Sequence, residues 1–148
     1  MLAENTVLTG RRAITRSYAK INLTLDVLSK RENGYHDIKM IMQTVSLFDL
    51  ILVDKTHRGI SISTNLPYLP CNEKNIAYKA ADAFFKATGI RGGAKIVIHK
   101  NIPVAAGLAG GSGNCAAVLT AMNMLHGNPL SNDELMHIGA SLGADVPY

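Results

Sequence analysis

Residues 94–112 read Ala94-Lys95-Ile96-Val97-Ile98-His99-Lys100-Asn101-Ile102-Pro103-Val104-Ala105-Ala106-Gly107-Leu108-Ala109-Gly110-Gly111-Ser112. The stretch opens as a strand over 94–99 and passes through a Pro/Gly loop over 101–111. It then enters an alanine-rich helix expected over 112–126, with Ser112 at its N-cap. Glycines at 107, 110 and 111 let a backbone approach a ligand closely and aim successive N–H groups at it. A helix N-terminus adds roughly half a positive charge. Strand, glycine loop and helix together make an anion site suited to phosphates. No Lys follows the last glycine, so this is not a Walker A loop. Gly-x-x-Gly-Gly-Ser also lacks the spacing of a dinucleotide-binding turn. The plainer alternative is a turn that merely feeds a helix. Likewise, Pro103 to Ala106 is apolar enough either to wall a bound base or simply to pack.

Upstream, Ile21, Leu23, Leu25 and Val27 alternate with Lys20, Asn22, Thr24 and Asp26, the period-two signature of a strand with one apolar face. Asn33-Gly34 is turn chemistry. Residues 38–47 and 50–54 read as one long bent strand or two, and 60–63 as another. Residues 1–12 read as a tail or an edge strand. A helix is expected over 75–88, with Gly89 at its C-terminal end. A last one starts at Ser131, where Glu134 completes a capping box, and stops at Gly143. Strands come first and helices later, which indicates α+β rather than a doubly wound sheet.

The 148 residues are 47% hydrophobic and 18% charged, the composition of one globular domain with a core. Net charge is +4, which suits an anionic ligand. The absence of Trp and of any long basic run argues against a nucleic-acid module. No apolar run approaches membrane-spanning length, and no membrane association is expected. Cys71 and Cys115 match no zinc spacing and read as reduced thiols of a cytoplasmic protein.

Four stretches, in order, carry a resemblance: Ala19-Lys20-Ile21-Asn22-Leu23, Arg31-Glu32-Asn33-Gly34-Tyr35-His36, Ile102 to Asn114, and Leu142-Gly143-Ala144-Asp145-Val146-Pro147. Together they resemble the galactokinase/homoserine kinase/mevalonate kinase/phosphomevalonate kinase superfamily. Within it they are most similar to the 4-diphosphocytidyl-2-C-methyl-D-erythritol kinase family of non-mevalonate isoprenoid synthesis. The resemblance implies that residues 1–148 form an N-terminal ATP-binding domain, a ribosomal-protein-like β/α sandwich, followed in the family by a second domain. It implies ATP and Mg²⁺ as cofactors and a cytidine diphosphate sugar-alcohol as the small-molecule substrate.

By the same resemblance, Lys20 and Asp145 are the catalytic pair. Pro103, Gly107, Leu108, Ala109, Gly110, Gly111 and Ser112 hold the nucleotide phosphates. Asn75, Ile76 and Lys100 lie around the adenine pocket. Asn22, Tyr35 and His36 face the substrate. No metal ligand is named. Gly113 departs from the family, which often carries Ser there. Without the resemblance, Lys20 reads as a solvated strand residue and Asp145 as a turn residue. Two alternatives remain open: another small-molecule kinase of the superfamily, or a nucleotide-binding piece with no turnover of its own.

Overall fold

In the computed structural model, which describes residues 3–30, 34 and 36–147, five strands form one sheet. They are β1 (Thr6–Thr9), β2 (Arg12–Lys30), β3 (His36–Thr56), β4 (Gly59–Thr64) and β5 (Gly93–His99). Three helices accompany them: α1 (Ile76–Thr88), α2 (Gly110–Leu125) and α3 (Asn132–Leu142). The sheet order is β1-β2-β3-β5-β4. All neighbours are antiparallel except β4 and β5. A parallel pair requires a crossover, and α1 provides it. The tail thus contributes an edge strand, and residues 38–54 lie in one continuous strand.

The core lies between one face of the sheet and the helices. Ala13, Ile51, Val53, Ile96 and Ile98 meet Ala77, Ala81, Phe84, Val118 and Met122, all buried in one cluster. The alanines of α1 and α2 let the helices approach each other closely. In α1, the Asn75 side chain accepts the Ala77 N–H at 3.0 Å, and left-handed Gly89 closes the other end on the Phe85 carbonyl. In α3, Ser131 and Glu134 form the reciprocal capping box. No helix among the described residues is long and apolar enough to cross a membrane.

One helix boundary differs from expectation. α2 starts at Gly110, not Ser112, and its N-cap is Ala109 in a left-handed conformation at φ 57°. Ser112 therefore lies inside the first turn and caps nothing. The sequence signal misleads because a serine before a helical run usually is the cap, whereas here the loop's backbone turns the chain earlier.

β2 and β3 are 19 and 21 residues long, far beyond the usual strand of about 5–6. β3 pairs with β5 only from Leu50 to Thr56. Beyond that sheet the two strands pair only with each other, from Lys20↔Thr44 to Lys30↔His36. The alternation of Leu23, Leu25 and Val27 is present, but these side chains are 57%, 49% and 61% exposed. The break between the two ends is a bulge: Tyr18 pairs with Phe48 and Lys20 with Thr44, leaving Ala19 opposite three residues of β3.

Candidate functional site

Two cavities meet at the head of α2. The larger, about 430 Å³, is walled by Pro103 to Ser112, by Asn75 and Ile76 at the head of α1, and by Lys100 and Asn114. Every residue expected at the nucleotide is on this wall. The apolar run 103–106 lines it as well and does not enter the core.

The loop owes its shape to left-handed residues at alternate positions, Ala105 (φ 59°), Gly107 (φ 72°) and Ala109 (φ 57°). Left-handed residues between ordinary ones turn successive N–H groups inward, the geometry of an anion-binding nest. Alanine pays a steric cost there that glycine does not, and such strain concentrates at functional sites. Ala109 offers no side-chain cap, so the first-turn N–H groups keep their donors for a ligand.

Under the loop lies a buried ion pair. Asp49 is fully buried and takes the Lys100 ammonium on one oxygen. Its other oxygen accepts the N–H groups of Asn101 and Ile102, each at 2.8 Å. Asn65 brackets the Lys100 peptide, accepting its N–H at 2.7 Å and donating to its carbonyl at 3.1 Å. These contacts fix where β5 ends and the loop begins. A Cβ at Gly110 would stand 2.9 Å from Lys100 Nζ and 3.0 Å from Ile102 Cγ2, whereas one at Gly111 would meet only Ile76 Cγ2 at 3.9 Å. Gly110 thus serves close packing on the floor, and Gly111 keeps the cavity open. Asp49 and Asn65 were missed in the sequence. The signal for Asp49 was there: one carboxylate inside an apolar strand run, where an unpaired charge is intolerable.

The smaller cavity, about 160 Å³, is lined by Ser17, Lys20, Ala109, Gly113, Asp145 and Val146 among others. Lys20 arrives on β2 just past the bulge, which frees its N–H to donate to the Leu108 carbonyl at 3.2 Å. Its ammonium donates to Asn22 Oδ1 at 3.1 Å. Asp145 arrives on the turn after α3, held by the buried Val146. Cβ atoms at Gly139 and Gly143 would stand 2.9 and 3.3 Å from Val146 methyls, so these two glycines make the groove that seats that turn. Lys20 and Asp145 share the cavity without an ion pair between them among the described contacts.

The proposed substrate residues are not gathered here. Asn22 is exposed and touches Lys20. His36 is exposed at the start of β3, opposite Lys30, and lines neither cavity. Tyr35 lies outside the described residues. No group of three or more His, Cys, Asp or Glu among the described residues is placed to hold a metal. Both cysteines are free; Cys71 is exposed, and burial pushes the Cys115 thiol up to about 12.

The family model described as the GHMP kinases N terminal domain matches residues 75–148. A 4-diphosphocytidyl-2-C-methyl-D-erythritol kinase of Clostridium botulinum (strain Alaska E43 / Type E3) is 52% identical over 133 residues, covering 90% of this chain and 48% of the relative. One from Clostridium perfringens is 54% identical over 134 residues, covering 90% of this chain and 46% of the relative. The chain spans about half the length of the curated relatives it matches. A crystal structure of 4-(cytidine 5'-diphospho)-2C-methyl-D-erythritol kinase superposes with a TM-score of 0.79 at 36% identity, over 90% of this chain and 47% of that one. A homoserine kinase from Cytophaga hutchinsonii shares the fold at a TM-score of 0.70 and 18% identity, over 93% of this chain and 44% of that one. By the family model, the chain belongs to the GHMP kinases, of which it is an N-terminal domain.

Proposed function

We propose that this chain forms the ATP side of a kinase that phosphorylates the 2-hydroxyl of 4-diphosphocytidyl-2-C-methyl-D-erythritol in non-mevalonate isoprenoid synthesis. The observation that carries the reading is the junction at Ala109. This residue walls both the loop-lined cavity and the cavity holding Lys20 and Asp145. A nucleotide seated in the first would present its terminal phosphoryl group to an acceptor in the second. The names of the relatives support the cytidyl acceptor.

The loop amides and the α2 dipole bind the phosphates. Asn75, Ile76 and the Pro103–Ala106 wall take the base side, and Lys100 lies beneath. Asp145 accepts the proton of the acceptor hydroxyl as the new O–P bond forms and the bond to ADP breaks. Lys20 orients Asp145 and offsets charge on the transferring group. Tyr35, His36 and Asn22 meet the cytidyl substrate. Mg²⁺ keeps several waters and binds through phosphates plus one or two protein oxygens. The residues present fit that demand: the Ser112 hydroxyl borders the phosphate cavity and Asp145 borders the next one. Bound there, Mg²⁺ would neutralise phosphate charge. The two free thiols suit a reducing cytoplasm.

The test is an ATP-dependent turnover assay on the complete gene product with the cytidyl acceptor. Asp145→Asn lowers kcat by about 10²-fold or more. Lys20→Met does likewise, and the double variant loses little beyond either single change, as for groups that act as a unit. Near-normal kcat in Asp145→Asn would remove the proton-acceptor role. Turnover of homoserine or mevalonate in place of the cytidyl acceptor would move the protein to a sibling activity within the same fold.

A further inference from the structure

Among the described residues, two polar atoms flanking Gly113 are buried without a hydrogen-bond partner: Ser17 Oγ and Asn114 Oδ1. Buried polar atoms are nearly always paired, so each such exception calls for a cause. Asn114 borders the nucleotide cavity and Ser17 borders the cavity of Lys20 and Asp145. The orphans therefore stand one on each side of the junction.

Ser17 is the more telling of the two. Ala13, Thr15, Ser17 and Ala19 form the helix-facing row of β2, all fully buried. Thr15 shares that row and accepts a hydrogen bond from the Thr6 hydroxyl at 2.9 Å. Ser17, two residues on, has no such partner. A small apolar side chain would pack there at no polar cost, as Ala13 and Ala19 do. The reason for a hydroxyl lies across the gap. A Cβ at Gly113 would stand 2.6 Å from Ser17 Oγ. The hydroxyl thus occupies the place where a side chain on the first turn of α2 would otherwise stand, and Gly113 leaves that place free.

We propose that the Ser17 hydroxyl is a side-chain donor to the terminal phosphoryl group of the bound nucleotide, set at the cavity junction from the strand because the helix has a glycine there. The assignment rests on reading the larger cavity as the nucleotide site, and it adds a residue of β2 to a site otherwise built from the loop and the helix. A hydroxyl donor suits this position. It keeps its proton throughout transfer, and it brings no positive charge beside Lys20.

The experiment titrates the complete gene product with ADP and with a non-hydrolysable ATP analogue, in the absence of any acceptor. Ser17→Ala weakens the analogue about tenfold, the effect of one hydrogen bond to a charged group, and leaves ADP within about twofold. Ser17→Ala/Gly113→Ser restores the analogue, because the hydroxyl returns to the same place from the helix side. If the alanine variant melts early, Ser17→Cys keeps the size, loses the strong donor and gives the same selective loss. An unchanged analogue-to-ADP ratio in folded Ser17→Ala overturns the assignment, as does equal weakening of both nucleotides. So does a double variant that stays as weak as the single one. A wild-type protein that binds neither nucleotide overturns the reading of the cavity, and this assignment with it.

Discussion

The inner end of the β2–β3 hairpin pairs Arg12–Tyr18 with Phe48–Asp54, and the outer end pairs Lys20–Lys30 with His36–Thr44. Both are made by the same two strands. The inner end buries three polar side chains completely, Thr15, Ser17 and Asp49. The outer end exposes Leu23, Leu25, Val27, Ile38 and Ile41. Alternation thus sets the pleat at both ends and decides burial at neither. What decides burial is what lies above each face: α2 covers the inner end, and among the described residues nothing covers the outer one. Two of these three buried polar groups have partners that account for them. Thr15 pairs with Thr6, and Asp49 anchors the start of the glycine loop.

The sharpest way to break this contrast is to remove the inner carboxylate. Asp49→Ala strands the Lys100 ammonium and two backbone N–H groups in the interior. Losing one partner of a buried pair costs about 3–5 kcal/mol, a large share of the about 5–15 kcal/mol that holds a domain together. Chemical denaturation should show a much lower midpoint, or a chain that no longer folds. A midpoint near that of wild type would mean the pair anchors nothing.

A paired truncation sharpens it further. Ile51→Ala at the inner end opens a cavity in the core and costs about 2–5 kcal/mol. Leu25→Ser at the outer end stays within about 0.5 kcal/mol, as exposed substitutions do. Equal losses at the two sites, measured by the same denaturation curves, would show that the outer end is buried in solution. A modest gain, not a loss, is expected at the boundary between the ends, where the Leu108 carbonyl holds the Lys20 N–H. Ala109→Gly relieves a left-handed alanine and should raise stability by about 1 kcal/mol. A loss instead would mean that the Ala109 methyl packs where the two cavities meet.

The sequence was most readable where physics is local. Asn75, Gly89 and the Ser131–Glu134 box each state a helix end through a few neighbouring residues, and each stands where expected within a residue. The glycine loop and the Lys20–Asp145 meeting were found through motifs rather than through periodicity. Nothing in alternation brings β2 to the turn after α3. The start of α2 was misread because the left-handed turns at Ala105 and Ala109 have no glycine to signal them. Asn65 carries no local signal, and Asp49 carries only that of a lone carboxylate in an apolar run, with nothing to name its partner. Their partners lie 51 and 35 residues away, and only the closed sheet brings them together. Ser17 looked like one more strand residue until Gly113 was seen across from it.

The sheet order β1-β2-β3-β5-β4 also fixes a sequence of assembly. β1 pairs with β2 and β2 with β3, each with the strand that follows it in the chain. β4 cannot pair at once: among the described residues its one neighbour is β5, and α1 lies between them in sequence. Until β5 arrives, β4 has no ladder to join and β3 has an open edge, so closing the sheet waits on a long loop closure. When β5 does arrive, its last residue, His99, takes its place opposite Leu50, next to Asp49. Lys100, Asn101 and Ile102 follow at once, and with them the glycine loop. The strand that completes the sheet is the strand that carries the loop, so a half-folded chain lacks the cavity at the head of α2.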